Sequence, residues 1–128
     1  MTGRDVLTKA MEMMNYTDTD GAVSNNAPSG VMRRGLSLVN QIYSDLWFIE
    51  NDGVEGVLFS PLTSLSGNLV LTDRAAADVM PYGVAMLLAQ SEGDGDNQQL
   101  FANLYNRKRT SVNAPVSAIV DMLPTVEE

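Results

Sequence analysis

One stretch, Thr72 to Glu92 (TDRAAADVMPYGVAMLLAQSE), constrains this chain more than any other. Thr72 and Asp73 read as a helix start, because short polar side chains accept from the first free amides of a helix. Projected at about 100° per residue, Arg74, Asp78 and Glu92 fall in one narrow sector. Nearly every other position is Ala, Val, Met, Leu, Tyr or Gly. A helix apolar on almost all sides has to be wrapped by protein or lipid. The apolar run from Val79 to Ala89 is too short for a bilayer and contains Pro81, so the expectation is a buried rod. Pro81 predicts a kink or the effective start of that helix. Gly83 predicts room for a neighbouring backbone.

The remaining segments read as packing around this rod. Gly3 to Met14 predicts a first helix, with Val6, Leu7, Ala10, Met11, Met13 and Met14 on one face and Asp5, Thr8, Lys9 and Glu12 on the other. The Asn-, Asp-, Thr- and Ser-rich run from Asn15 to Gly30 predicts a loop. A second helix is expected from about Gly30 to Glu50. Met32, Leu36, Leu38, Val39, Ile42, Tyr43, Leu46, Trp47 and Ile49 cover roughly half its circumference. Gly35 on that apolar half costs about 1 kcal/mol of helix propensity, which points to a close helix crossing. Phe48 falls alone on the polar side. Asn51-Asp52-Gly53 ends the helix, and two β-prone runs follow, Val54 to Phe59 and Asn68 to Leu71. They predict an irregular hairpin that must lean on the helices or on a partner, because two strands alone are marginal in water. Gly93 to Asp96 is a sharp break before a fourth helix, Asn97 to Arg109. The acids at its start and the bases at its end suit the helix dipole. Thr110 to Glu128, with Pro115 and Pro124, reads as an extended tail. The expected class is mainly α: a small bundle of about four helices with a β-hairpin-like excursion between the second and third helices and an extended C-terminal tail. Residues 1–109 form the helical domain and 110–128 the tail.

Composition narrows the chemistry. With 128 residues, 45% of them hydrophobic, the chain suits one domain with a real core. It has no Cys and no His, so disulfides, thiolate metal sites and the commonest general base are excluded. The net charge of -8 argues against a nucleic-acid-binding surface. No signal sequence is recognisable and no membrane association is expected, so the default expectation is a cytoplasmic protein.

Candidate sites meet plain alternatives. A calcium loop beginning at Asp94 would need Gly and Glu where Gln99 and Tyr105 stand, so a turn and helix cap explains Gly93 to Asp96 better. Arg107, Lys108 and Arg109 could contact DNA or form ion pairs, but a helix C-terminus attracts such residues anyway. Arg33 and Arg34 sit on a solvated face and could pair with another subunit. No acid lies in an apolar run beside a second catalytic group, and there is no phosphate loop or nucleophile elbow. A non-enzymatic protein with no cofactor, no metal site and no catalytic residues is expected.

Two stretches carry a family resemblance. Leu36, Asn40, Ile42, Leu46 and Trp47 are similar to the second helix of small tailed-phage head–tail connector proteins. Leu69-Val70-Leu71, Pro81-Tyr82-Gly83-Val84-Ala85, Leu88-Ala89, Glu92-Gly93-Asp94, Phe101 and Tyr105 resemble the rest of that pattern. The resemblance covers Gly30 to Arg109 and consists mainly of packing residues. It implies a structural virion protein of the phage neck, made in the cytoplasm of the infected bacterium. Such a protein forms a ring below the portal protein, extends the DNA channel and docks a further neck or tail protein. Packaged DNA would pass through without sequence-specific binding. On this reading, apolar residues without an obvious partner in their own chain reach neighbours: Val54, Val57, Leu58, Phe59, Leu62 and Leu65 in the excursion, and Val116, Ile119, Val120 and Leu123 in the tail. The alternative is a small helical protein-binding adaptor or tail-assembly chaperone.

Overall fold

A computed structural model describes residues 1–17 and 30–112. Four α-helices make a mainly helical bundle: α1 (Gly3–Met13), α2 (Val31–Glu50), α3 (Met80–Ser91) and α4 (Gly95–Arg109). A single π-helical turn, Arg74–Val79, leads into α3. The predicted loop before α2 and the predicted tail lie mostly outside the described residues.

The helix ends follow from local chemistry. Thr2 and Asp5 form a reciprocal capping box on α1, the Asp5 amide donating to the Thr2 hydroxyl (3.2 Å) and the Thr2 amide to the Asp5 carboxylate (2.9 Å). That backbone hydrogen bond from Thr2 lowers the pKa of Asp5. At the other end Asn15 takes φ 61°, and the amides of Asn15 and Tyr16 close back on Glu12 and Met11. Asn tolerates this left-handed position, which closes the helix with two satisfied carbonyls.

Helix α2 buries Val31, Gly35, Val39, Ile42, Tyr43, Leu46 and Trp47. This stripe is narrower than the predicted half-circumference, since Met32, Leu36 and Leu38 are only half-buried. Gly35 marks a close crossing as expected: a Cβ there would stand 2.3 Å from a methyl of Leu7 on α1.

The central rod is buried on nearly all sides. Val79, Met80, Val84, Ala85, Leu88 and Ala89 are fully enclosed, and α3 packs against α1, α2 and α4. Its entry differs from a single kinked α-helix. Thr72 does begin the segment, its hydroxyl accepting from Ala75 and its carbonyl from Ala76. The backbone then widens, with the Met80 amide reaching five residues back to Ala75. Pro81 sits in the first turn of α3 and has no N–H for the carbonyl of Ala77. The Lys9 ammonium donates to that oxygen instead, at 3.3 Å. At Gly83 the neighbours are side chains: a Cβ would press on Tyr105 and Ile42.

Gly93 and Asp94 turn the chain from α3 into α4. Gly93, at φ 71°, and Asp94 return their amides to Gln90 and Ala89. The Asp94 carboxylate then caps α4, accepting from the backbone and side-chain amides of Asn97 (3.2 and 2.7 Å). Helix α4 therefore starts at Gly95, two residues before the predicted Asn97. Phe101 and Tyr105 enter the core, and a turn after Arg109 buries Val112.

The predicted hairpin is not built. Among the described residues there is no strand; the one bridge in this region joins Asn68 to Thr2 rather than Val54–Phe59 to Asn68–Leu71. Backbone groups in and just before the second predicted strand are instead taken by the N-terminus of the chain and by α2. Leu69 donates to the Met1 carbonyl (2.9 Å), Leu65 and Gly67 accept from Arg4 and Gly3, and the Val70 amide donates to the Tyr43 hydroxyl (3.0 Å).

Candidate functional site

The excursion between α2 and α3 is irregular but firmly held. Asn40 on α2 grips Leu62 with both ends of its amide: Nδ2 donates to the Leu62 carbonyl at 2.9 Å and Oδ1 accepts from the Leu62 amide at 2.8 Å. Glu50, in the last turn of α2, accepts from the amide and hydroxyl of Thr72. Phe59 lies edge-on to Tyr43, 5.1 Å between centroids, and tilted against Trp47 at 5.5 Å. Phe48 completes the aromatic group, edge-on to Trp47 at 5.1 Å.

This bracing divides the predicted contact residues. Phe59, Leu62 and Leu65 are half-buried and pack on the core, so the expectation that they lack partners in their own chain is corrected. Leu62 rests so close to Gly3 that a Cβ there would lie 2.7 Å from its methyl. Val54, Val57 and Leu58 are exposed, Leu58 by 90%. Val116, Ile119, Val120 and Leu123 lie outside the described residues. Two residues absent from that expectation join the surface. Phe48 is 58% and Val70 70% exposed, and both flank the aromatic group through Phe59 and Tyr43. The lone apolar position on the polar side of α2 was the signal for Phe48; Val70 sits in a run that reads as a strand and carries no such signal.

Acids adjoin these exposed side chains in the sequence, and two of them, Asp52 and Glu55, are themselves exposed. Glu50, Asp52 and Glu55 lie in the same segment, and no Lys or Arg occurs from Gly35 to Asp73.

The basic cluster at the end of α4 is largely engaged within the chain. Arg109 makes a two-pronged pair with Asp45, Nε to Oδ2 at 2.6 Å and Nη2 to Oδ1 at 2.8 Å, and the Tyr105 hydroxyl donates to the same carboxylate at 2.6 Å. The Arg109 hydrogen bonds hold the Asp45 carboxyl below the usual carboxylate range. Burial, then the hydrogen bond to Asp45, pushes the Tyr105 phenol well above its ordinary value, so it stays a neutral donor. Lys108 pairs with Asp78 at 3.0 Å and stands over the Tyr82 ring at 4.9 Å. Its hydrogen bond lowers the Asp78 pKa. Arg107 is exposed, with no ion pair among the described residues. Arg34 pairs with Glu92 inside the chain at 3.1 Å, joining the start of α2 to the end of α3.

An open trough of about 850 Å³ runs along α2, lined by Arg33, Leu36, Ser37, Asn40, Gln41 and Ser44; it holds one charged side chain and no acid–base pair. Among the described residues no cluster of acids could hold a metal ion, and no helix is long and apolar enough to cross a membrane. Asp94, the residue of the calcium reading, spends its carboxylate on Asn97. The chemistry on display is that of contact. Set against known protein families, curated proteins and solved structures, the chain matches none.

Proposed function

We propose that this chain is an architectural subunit of the kind its sequence resembles, a tailed-phage head–tail connector. Copies form a ring below the portal protein, lengthen the DNA channel and dock the next neck or tail component. The protein works in the virion neck after assembly in the bacterial cytoplasm, with no catalysis, no cofactor and no membrane.

The observation that carries this reading is the braced excursion. Asn40, Tyr43, Glu50 and the first residues of the chain hold its backbone from Leu62 to Thr72, where Val70 is exposed; Leu58, just before that stretch, and Phe48 on α2 are exposed as well. A segment held this firmly with apolar side chains outward is preorganised for contact, because little ordering cost remains on binding. Ring assembly requires a surface of this type on every copy. A duct for DNA also has to avoid holding it. The net charge of -8 and the pairing of Lys108 and Arg109 with Asp78 and Asp45 leave little free positive charge near the end of α4.

Light scattering of the full chain across concentration, with and without the matching portal, tests the proposal. A closed oligomer or a complex with the portal ring is expected. A monomer indifferent to the portal would refute it and leave a helical adaptor or assembly chaperone that uses the same patch.

A further inference from the structure

We propose that the apolar patch of one copy docks on the outer face of α4 of a second copy, with Leu58 against Leu100 and Leu104, and Asp52 and Glu55 facing Arg107. This pairing rests on the connector reading and supplies its subunit interface.

The argument is one of elimination on charge and exposure. An apolar patch with acids adjoining it in the sequence calls for an apolar surface bordered by positive charge. All eight basic residues of the chain fall within the described residues. Lys9 donates to Ala77, Arg34 pairs with Glu92, Arg74 donates to Ser111, Lys108 pairs with Asp78 and Arg109 with Asp45. Arg4, Arg33 and Arg107 remain without a side-chain partner among the described residues.

Exposed apolar residues narrow the choice further. The large ones are Met1, Phe48, Val54, Val57, Leu58, Val70 and Leu100. Met1 adjoins the excursion, its carbonyl accepting from Leu69, and the Arg4 amide donates to Leu65 of the same excursion, so Arg4 belongs with the patch and not with an opposing face. Arg33 lies on the α2 trough with half-buried Leu36, where the lining holds no exposed large apolar side chain. Among the described residues Leu100 is the one exposed large apolar side chain outside the N-terminus, the end of α2 and the excursion. It shares a helix face with half-buried Leu104 and exposed Arg107, at i, i+4 and i+7, while Phe101 and Tyr105 point into the core. The two surfaces share no residue, so each copy can offer them to two different neighbours, and the pairing then runs head-to-tail from copy to copy, the geometry that a ring needs.

The chain contains no cysteine, so introduced thiols report unambiguously. Val57→Cys and Asn103→Cys place one thiol at each surface and leave Leu58, Leu100, Leu104, Asp52, Glu55 and Arg107 intact. With a bifunctional maleimide, the double variant should give a ladder of cross-linked species, and neither single variant should. Arg107→Glu should weaken assembly by roughly tenfold in concentration, and adding Glu55→Arg should restore it. Cross-linked dimers from Val57→Cys alone would mean that patch meets patch, and would overturn the pairing. A closed wild-type oligomer whose double variant gives no ladder would overturn the pairing while sparing the connector reading. A wild-type monomer indifferent to the portal would overturn both.

Discussion

The central rod and the excursion use similar residues to opposite ends. Helix α3 and the excursion are both rich in aliphatic side chains, yet α3 hides Met80, Val84, Leu88 and Ala89 while the excursion exposes Val57, Leu58 and Val70. The cause lies in the backbone. An α-helix satisfies its own amides and carbonyls, so every face of α3 is free to enter the core. The excursion cannot satisfy itself and borrows partners from Asn40, Tyr43, Glu50 and the first residues of the chain. Phe59, Leu62, Leu65 and Leu69 pack on the core beside those partners, and Val57, Leu58 and Val70 are left exposed. Regular backbone makes a core here, and irregular backbone makes a surface.

Substitutions can break that contrast. Leu88→Ala should cost about 2–5 kcal/mol, read as a lowered urea midpoint at unchanged slope, because Leu88 is fully enclosed between helices. Asn40→Ala should cost about 1–2 kcal/mol by stranding the amide and carbonyl of Leu62. Hydrogen exchange would sharpen the comparison: the Leu62 amide should lose protection while amides in α3 keep theirs. Equal loss in both would mean that the excursion and the rod open as one unit.

Smaller effects follow on the surface. The Asp45 carboxyl is held below its ordinary value, so its contribution is present above the unfolded pKa and is lost as pH falls through the folded one. Wild type should therefore lose a little stability through this group as pH falls below the ordinary carboxylate range, the partial exposure of the pair keeping the loss small. Asp45→Asn should flatten that part of the acid profile in denaturant titrations. Leu58→Ser should move stability by less than about 0.5 kcal/mol. The same substitution should abolish self-association by light scattering. A stability loss as large as that of Leu88→Ala would show that Leu58 belongs to the core after all.

The four helices were legible because each carries its own period and punctuation: Thr2 and Asp5, Gly93 and Asp94, and the apolar stripe of α2 can be read locally. Gly35 even announced its crossing, since an interior glycine on an apolar face has little other use. The missing hairpin was not legible. Val54 to Phe59 has strand propensity, but whether a strand forms depends on which groups take the backbone hydrogen bonds, and Asn40 and Met1 lie far away in sequence. The π-turn was hidden for a related reason. Arg74–Val79 reads as ordinary helix, and its widening is matched to Pro81 and to Lys9 on another helix. In the candidate site, the exposure of Phe48 followed from helical period. The pairing of Arg109 with Asp45 spans the whole bundle, so the basic end of α4 looked freer than it is.

The corner at Gly93–Asp94 has a consequence for how such a chain can vary in length. Asp94 closes one helix with its amide and opens the next with its carboxylate, so the joint contains no spare residue. Inserting one residue there would rotate α4 by about 100° about its axis. Phe101 and Tyr105 would swing away from the core, and Arg109 would lose Asp45. Single-residue insertions and deletions are therefore barred at this joint.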